Sequence, residues 1–282
     1  MMKLIADSGS TNTRWHLLPD TAQAATDQCH TTGINPYFQS EKEILESLKN
    51  EFSMRIPALH SIHFYGAGIT DGSKKELLRS VLTSFFGVKD IYIESDLMAA
   101  ARSLCQDQEG IAAILGTGSN SCYYDGSTIV QNVSPLGFIL GDEGSGAVLG
   151  RTLIADILKN QLPENIIKRF FETCQVTRQE ILEHVYRKPF PNRYLASFTP
   201  FLLEHMHEEE VKQIITGSFM SFFRRNIAQY PQSHRLPVYF TGSIAWYFSS
   251  LLREVATKTG FTVGTITRDP IEGLLEFHKK VK

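Results

Sequence analysis

The sequence contains few cysteines, and they are far apart. Cys29, Cys105, Cys122 and Cys174 are the only four in 282 residues, and no two of them form a C-x-x-C pair. Neither a disulfide framework nor a cysteine-based zinc site is therefore indicated. Isolated thiols of this kind are typical of a reducing compartment, so we expect a cytoplasmic protein.

Long apolar runs and an excess of charge of one sign are also missing. No segment approaches the roughly 20 apolar residues that cross a bilayer as a helix. Asp7 interrupts the first apolar run, so we expect no signal peptide. With 28 basic and 30 acidic residues the formal net charge is −2, which argues against a polybasic membrane anchor and a general nucleic-acid binder. This charge is still compatible with binding of small anionic ligands, because backbone amides can bind them locally.

The apolar patterns predict the same succession of elements twice. The first half contains predicted strands at 3–7, 12–18 and within 22–31, a helix at 39–54, a strand at 60–66, a helix at 71–86, a strand at 88–94 and a helix at 96–106. The second half contains predicted strands at 111–115, 121–124 and 128–133, a helical region at 143–230, a strand at 237–241, a helix at 244–258, a strand at 262–266 and a final helix from about 270. The sequence therefore predicts an α/β protein with a duplicated βββαβαβα unit and a helical insertion in the second copy.

The predicted boundaries follow from this repeat. A first lobe would comprise residues 1–107 together with the C-terminal helix, 268–282. A second lobe with the insertion would comprise residues 108–267. Two lobes agree with a length above that of one average domain.

Three segments combine glycine with hydroxyl and carboxylate side chains. They are Asp7-Ser8-Gly9-Ser10-Thr11-Asn12-Thr13, Gly116-Thr117-Gly118-Ser119-Asn120 and Gly141-Asp142-Glu143-Gly144-Ser145. Glycine lets a backbone approach a ligand, and Ser and Thr add donors. Ordinary hairpin turns use similar residues, but three such segments together indicate a kinase that handles phosphate groups.

Three carboxylates, those of Asp96, Asp142 and Glu143, have competing interpretations. Asp96 lies where a predicted strand meets a predicted helix, so it is either a helix N-cap or a general base. Asp142 and Glu143 are expected to open the long helix that follows, where acidic residues complement the helix dipole. His60 and His63, and the pair His205 and His207, show no completed metal-ligand spacing.

The order of these motifs resembles the sugar kinase, Hsc70 and actin superfamily, and within it the N-acetylglucosamine kinase group of the BadF/BadG/BcrA/BcrD ATPase family. The resemblance extends over essentially the whole chain, and its most specific parts are 116–120 and 141–145. It implies two ribonuclease-H-like lobes with a ligand cleft between them. It also implies an ATP-dependent, Mg²⁺-requiring kinase whose first expected substrate is N-acetylglucosamine, phosphorylated at its 6-hydroxyl.

The resemblance implies roles for individual residues. Asp7 would hold the Mg²⁺ ion. The nucleotide would be bound by Ser8, Gly9, Ser10, Thr11, Asn12, Thr13, Gly116, Thr117, Gly118 and Ser119, and its adenosine by Gly242 and Ser243. Asp96 would be the catalytic base, and the sugar would be contacted by Asn35, Asp96, Thr117 and Asp142.

Two departures from the family pattern fall in the expected active site, and the second, near the expected sugar pocket, leaves the exact sugar open. Asn12 stands where relatives often have a basic residue, and the segment Ser134-Pro135-Leu136-Gly137 replaces a glycine pair followed by tryptophan. Glucosamine and N-acetylmuramic acid are alternative substrates. A dehydratase-activator ATPase with an iron–sulfur cluster and a non-catalytic sugar sensor are alternative functions. We expect an amino sugar and ATP as partners, neither nucleic acid nor a membrane, and a homodimer as a possible assembly.

Overall fold

The computed structural model describes residues 2–9, 11–19, 27–56, 58–69 and 72–280. The chain divides into two compact units. The first comprises Met1–Asp107 and Pro270–Lys282, and the second comprises Gln108–Asp269.

The first unit is built on a five-stranded sheet. Its strands are β1 (Met2–Ser8), β2 (Asn12–Pro19), β3 (Gln28–Thr32), β4 (Ser61–Gly66) and β5 (Ile91–Ser95). The order across the sheet is β3-β2-β1-β4-β5, with β1, β2 and β3 antiparallel and β1, β4 and β5 parallel. This topology puts the β1–β2 turn at the same sheet edge as the carboxyl ends of β4 and β5.

Three helices follow these strands in the chain, namely α1 (Glu41–Glu51), α2 (Gly72–Phe86) and α3 (Asp96–Cys105). Ser40 and Glu43 form a capping box that starts α1. Alternate residues of β1 face opposite sides of the sheet. Leu4 packs with Leu48 and other residues of α1 and α2, whereas Ile5 packs with Ala99 of α3. The sheet is therefore covered on both faces.

The second unit repeats the first sheet. Its strands are β6 (Glu109–Leu115), β7 (Ser119–Asp125), β8 (Ile129–Asn132), β9 (Val238–Thr241) and β10 (Val263–Thr267). Their order is β10-β9-β6-β7-β8, so β6 has the central position that β1 has in the first sheet. The strand directions also repeat. The predicted duplication into two ribonuclease-H-like lobes is confirmed.

The helical insertion lies between β8 and β9. It contains α4 (Gly137–Leu140), α5 (Gly146–Leu158), α6 (Glu164–Cys174), α7 (Arg178–Tyr186), α8 (Pro191–Ala196), α9 (Thr199–Glu204), α10 (Glu209–Arg225) and two 3₁₀ turns, Ile227–Gln229 and Pro231–His234. Phe219, Phe222 and Phe223 of α10 are fully buried in the core of this unit. The predicted helix at 244–258 is two helices, α11 (Ser243–Tyr247) and α12 (Ser249–Thr259), separated at the buried Phe248.

The last helix, α13 (Ile271–Lys280), packs on α3 of the first unit. Gly273 permits this close approach, because a Cβ there would lie 2.3 Å from Ser103 Oγ. A hydrogen bond of 2.8 Å between His278 Nε2 and the Tyr65 hydroxyl joins α13 to β4. Among the described helices none is long and apolar enough to cross a bilayer.

Candidate active site

The turn between β1 and β2 is the first predicted phosphate loop. Asp7 lies one residue before the end of β1, and Gly9 closes the turn by donating its amide to Asn12 O at 3.0 Å. Gly9, Thr11 and Asn12 are exposed, so the loop offers its backbone to solvent. Ser10 lies outside the described residues.

The hydroxyl groups of Ser8 and Thr13 point into the first unit. Both residues are fully buried, and their oxygens are 2.7 Å apart. Ser8 Oγ accepts the amide of Ile34 at 2.9 Å and donates to Ile34 O at 3.0 Å. These side chains therefore connect the first phosphate loop to the segment that carries Asn35.

Asn35 is held by its own loop. Its side-chain Oδ1 accepts a hydrogen bond from the backbone amide of Tyr37 at 3.0 Å, and its backbone amide donates to Gln39 Oε1 at 2.7 Å. Its Nδ2 donates to no residue within the described part of the chain, so a ligand would find a donor here. Sequence reasoning missed Gly68, whose φ is +74° and whose Cβ would lie 2.0 Å from Asn35 Oδ1. The only sequence signal for this position was a glycine shortly after the predicted strand β4.

Asp96 is the first residue of α3 and is not its N-cap. Ser95 has that role, because its Oγ accepts the amide of Met98 at 3.2 Å. Asp96 Oδ1 accepts the amide of Leu97 at 2.8 Å. Burial raises the pKa of Asp96 above its ordinary value, and the bonds to backbone amides act in the opposite direction. The helix can therefore start without Asp96, which leaves its carboxylate available for chemistry.

The turn between β6 and β7 is the second predicted phosphate loop. It is closed by Gly116 N donating to Gly118 O at 2.9 Å. Two carbonyls of the loop accept amides from the start of α5, with Gly146 N on Gly116 O at 2.8 Å and Ala147 N on Thr117 O at 3.1 Å. The amides of Thr117 and Gly118 donate to no other described residue. They are the backbone donors that this loop offers to an anion.

Asp142 lies beside this second loop. Its Oδ1 is 3.4 Å from the amide of Ser119, and a Cβ at Gly118 would lie 3.1 Å from its Oδ2. Burial raises the pKa of Asp142 to about 6 and the charge of Glu143 adds to this, whereas the Ser119 amide lowers it. A hydrogen bond of 2.8 Å from Asp142 N to Pro135 O fixes the backbone.

The prediction that Asp142 and Glu143 open the next helix is wrong. Helix α5 starts at Gly146, and Ser145 is its N-cap, accepting the amide of Val148 at 3.2 Å. Asp142 has a left-handed backbone with φ of +53°, which is incompatible with a helix start. Asp142 therefore interacts with the second phosphate loop and does not lie in the first turn of a helix.

Gly242 and Ser243 form the turn between β9 and α11. Gly242 has φ of +117°, and a Cβ there would lie 2.3 Å from Leu115 O. Only glycine fits this approach, and it sets the turn beside the last residue of β6, directly before the second phosphate loop. The hydroxyls of Thr241 and Thr267, paired across β9 and β10, are buried without a hydrogen-bond partner in the described chain.

The candidate residues thus form two groups. In the first unit, the first phosphate loop and Asn35 are linked through Ser8, Thr13 and Ile34. In the second unit, the second phosphate loop lies beside both Asp142 and Gly242. The described residues contain no cluster of three His, Cys, Asp or Glu side chains suited to a metal ion. Mg²⁺ needs only one or two carboxylates when phosphate oxygens and water complete its shell, so Asp7 alone fits such a role.

Comparison with known proteins extends this description. No protein-family model and no curated protein matches the sequence. The "Putative N-acetylglucosamine Kinase" of Porphyromonas gingivalis is 43% identical, covers 99% of both chains and superimposes with a TM-score of 0.93. A "Putative N-acetylglucosamine Kinase" of Chromobacterium violaceum is 18% identical, with 98% of each chain covered and a TM-score of 0.75. A Schistosoma mansoni hexokinase complexed with glucose is 14% identical, covers 99% of this chain and 85% of its own, and has a TM-score of 0.51. The last two show the fold alone.

The repeated sheets, the glycine loop after the first strand of each, and the 43% identity to the Porphyromonas gingivalis protein define an ATP-dependent sugar kinase. The chain belongs to the N-acetylglucosamine kinase-like proteins of the BadF/BadG/BcrA/BcrD ATPase family, in the sugar kinase, Hsc70 and actin superfamily. The resemblance seen in the sequence is confirmed.

Proposed function

We propose that this kinase transfers the γ-phosphoryl group of ATP to the 6-hydroxyl of N-acetylglucosamine. The observation that carries the proposal is the 43% identity over the full length to the Porphyromonas gingivalis protein named for that sugar. The chemistry of Asn35, Asp96 and Asp142 agrees with it, because these side chains supply a donor, a base and an acceptor for a polyhydroxy ligand.

Besides Asp96, three side chains would contact the sugar. Asn35 donates from Nδ2, since its Oδ1 is occupied by Tyr37 N. Asp142, when ionised, accepts hydrogen bonds from sugar hydroxyls, and its loop neighbour Thr117 adds a hydroxyl. Each pairing matters because a buried polar group left without a partner costs about 1–3 kcal/mol.

Asp96 acts as the general base in this proposal. The 6-hydroxyl oxygen forms a bond to the γ-phosphorus while its proton passes to the Asp96 carboxylate. The bond from the γ-phosphorus to the bridging oxygen breaks, and ADP leaves with that electron pair. A pKa raised by burial favours proton acceptance, and positioning supplies most of the remaining rate.

The glycine loops would bind the nucleotide. The backbone amides of Thr11 and Asn12 and those of Thr117 and Gly118 supply donors for phosphate oxygens, and Gly9, whose amide closes the turn, lets the phosphates approach the backbone because it has no side chain. Gly242 and Ser243 contact the adenosine, and Asp7 holds Mg²⁺ through a carboxylate oxygen or a water. When bound, Mg²⁺ neutralises charge on the phosphates.

The iron–sulfur alternative loses support from the cysteines. A cluster shared by two subunits needs accessible thiolates, whereas Cys105 and Cys122 are buried. Burial also raises the pKa of Cys105 to about 12, which disfavours a thiolate. We therefore retain the kinase as the single proposed function.

A coupled assay of ADP release over a panel of sugars tests the substrate. The panel contains N-acetylglucosamine, glucosamine, N-acetylmannosamine, N-acetylmuramic acid and glucose. We expect the highest kcat/KM with N-acetylglucosamine and a 6-phosphate product by ³¹P NMR. A higher kcat/KM with any other member would reassign the substrate.

A further inference from the structure

The loop that carries Asp142 is anchored by the last turns of α10. We call residues 141–145 the acidic loop. Glu143 Oε1 lies 2.5 Å from Arg225 Nε, and Asn226 Nδ2 donates to Glu143 Oε2 at 3.1 Å. Gly144 N donates to Ser218 Oγ at 3.0 Å. Two consecutive residues of the loop are therefore tied to one helix of the insertion and to the residue that follows it.

We propose that Arg225, acting through Glu143, is a positioning residue that holds the Asp142 carboxylate beside Gly118 and Ser119 for sugar binding. This inference rests on the proposed function, because it takes Asp142 as a sugar acceptor. It assigns a role in the site to the helical insertion.

Packing leaves the acidic loop little freedom. Gly144 has φ of +77°, and a Cβ there would lie 3.2 Å from Phe222 Cβ and 3.3 Å from Leu115 Cδ2. The backbone of Gly144 is thus lodged between α10 and β6. Because Glu143 turns toward α10, its neighbour Asp142 faces the second phosphate loop, where its oxygens meet Gly118 and Ser119. A shift at Glu143 would move Asp142 directly.

The ion pair is asymmetric, which is what gives Arg225 its importance. The Glu143 side chain is only 15% exposed, whereas that of Arg225 is 61% exposed. A carboxylate removed from water needs a partner, and losing that partner is costly because the remaining charge stays in the low-dielectric site. Asn226 alone supplies a dipole but no charge.

The charge of Glu143 also acts on Asp142. The charged groups that line the groove between α5 and α10, which has a volume of about 570 Å³, are Glu143, Arg151, Asp156, Glu210 and Arg225. Among these, the charge of Glu143 contributes to the raised pKa of Asp142. Removing that charge should lower the pKa of Asp142, and removing Arg225 should raise it, because Glu143 then lacks its counter-charge.

The two variants are expected to shift the pKa of Asp142 in opposite directions, whereas a general loss of structure would not. We would compare Glu143→Gln, Arg225→Gln and Arg225→Lys, with Arg224→Gln as the matched control. Arg224 is an exposed residue of the same turn and has no ion pair within the described chain. The readouts are the KM for N-acetylglucosamine and kcat from pH 5 to 8, and the titration of Asp142 followed by ¹³C NMR of labelled aspartate in the absence of sugar.

In the parent enzyme sugar binding should weaken as pH falls through about 6. Arg225→Gln should move this midpoint to higher pH and Glu143→Gln should move it to lower pH. Arg225→Gln should raise KM about two- to fivefold with kcat nearly unchanged, since an ion pair with one exposed partner contributes modestly. Arg225→Lys should recover most of the midpoint, and Arg224→Gln should match the parent.

Two results overturn the inference. One is an Arg225→Gln enzyme that matches Arg224→Gln in both KM and midpoint. The other is a shift of Asp142 in the same direction in Glu143→Gln and Arg225→Gln. The NMR titration reports on Asp142 even if the parent phosphorylates no amino sugar. A parent enzyme that phosphorylates no amino sugar would reject the proposed function, but it would not reject the electrostatic coupling between Glu143 and Asp142.

Discussion

A side chain at position 68 cannot coexist with Asn35 in its present position. The ideal Cβ of residue 68 would lie 2.0 Å from Asn35 Oδ1, and Gly68 has a φ of +74° that L side chains rarely adopt. The two residues are 33 positions apart in the sequence, and the contact between them leaves room for the Asn35 side chain only because residue 68 is glycine. The contact joins the end of β4 to a residue proposed to bind the sugar.

Gly68→Ala should therefore weaken sugar binding. The new methyl group must displace the Asn35 side chain, so KM for N-acetylglucosamine should rise about tenfold or more, the effect of losing one or more hydrogen bonds of about 1–1.5 kcal/mol. Gly72→Ala is the matched control, because a Cβ there meets nothing within 4 Å. Equal KM values for the two variants would remove Gly68 and Asn35 from sugar binding.

Asp96→Asn tests the general base. The variant keeps the size of the side chain, and Ser95 still caps α3, so the fold should persist. We expect kcat to fall about 10²- to 10⁴-fold, the range for loss of a general base, with little change in sugar affinity. Ser95→Ala is the informative comparison: it should lower stability by about 1 kcal/mol through loss of the cap while kcat changes little. Turnover of Asp96→Asn within a few-fold of the parent would contradict the assignment.

Asp7→Ala tests the proposed cation site. Because the cation acts on the phosphates, the variant should need more Mg²⁺ for half-maximal activity and should turn over more slowly. Sugar affinity measured without nucleotide should stay within about twofold of the parent. An unchanged Mg²⁺ requirement would exclude Asp7 from this role.

Asp142→Asn should separate stability from activity. The pKa of Asp142 is raised to about 6 from an ordinary value of 3.8. The folded protein therefore binds this proton more tightly than the unfolded chain, and the free energy of unfolding rises as pH falls from about 6 to about 4. At pH 8 the variant lacks the desolvated charge, so its Tm should exceed that of the parent by about 2–4 °C.

This difference should shrink at pH 5, where the parent is largely protonated. The Asp142→Asn variant should bind sugar weakly at both pH 5 and pH 8, because an amide cannot replace an ionised acceptor. A variant less stable than the parent at pH 8 would mean that the Asp142 carboxylate is stabilised by partners in the folded protein, contrary to the burial that raises its pKa.

The repeated fold could be predicted because its signals are local. Short apolar runs separated by glycine turns indicate strands, and the spacing of Ile44, Leu48 and Phe52 indicates a helix. Similar runs recur after residue 108, so the duplication follows from the pattern alone. The turns at 116–119 and after β9 were located by the same local signals.

The side-chain arrangement of the site depends on contacts that local patterns do not report. Ser8 and Thr13 belong to the first loop by sequence, yet their hydroxyls bond to Ile34 inside the unit. Ser145 caps α5, so Asp142 lies in a loop where its acidic sequence suggested a helix start. Asn226 reaches Glu143 across 83 positions. Only the folded chain brings such residues together.

Isothermal titration calorimetry with amino sugars tests the central claim most directly. The account predicts that N-acetylglucosamine binds the purified protein, that Asp142→Ala weakens this binding, and that ATP binding is retained in that variant. The contradicting result is ATP binding by the parent protein with no heat from any amino sugar at millimolar concentration. In that case the amino-sugar assignment is wrong, and the nucleotide site serves another acceptor.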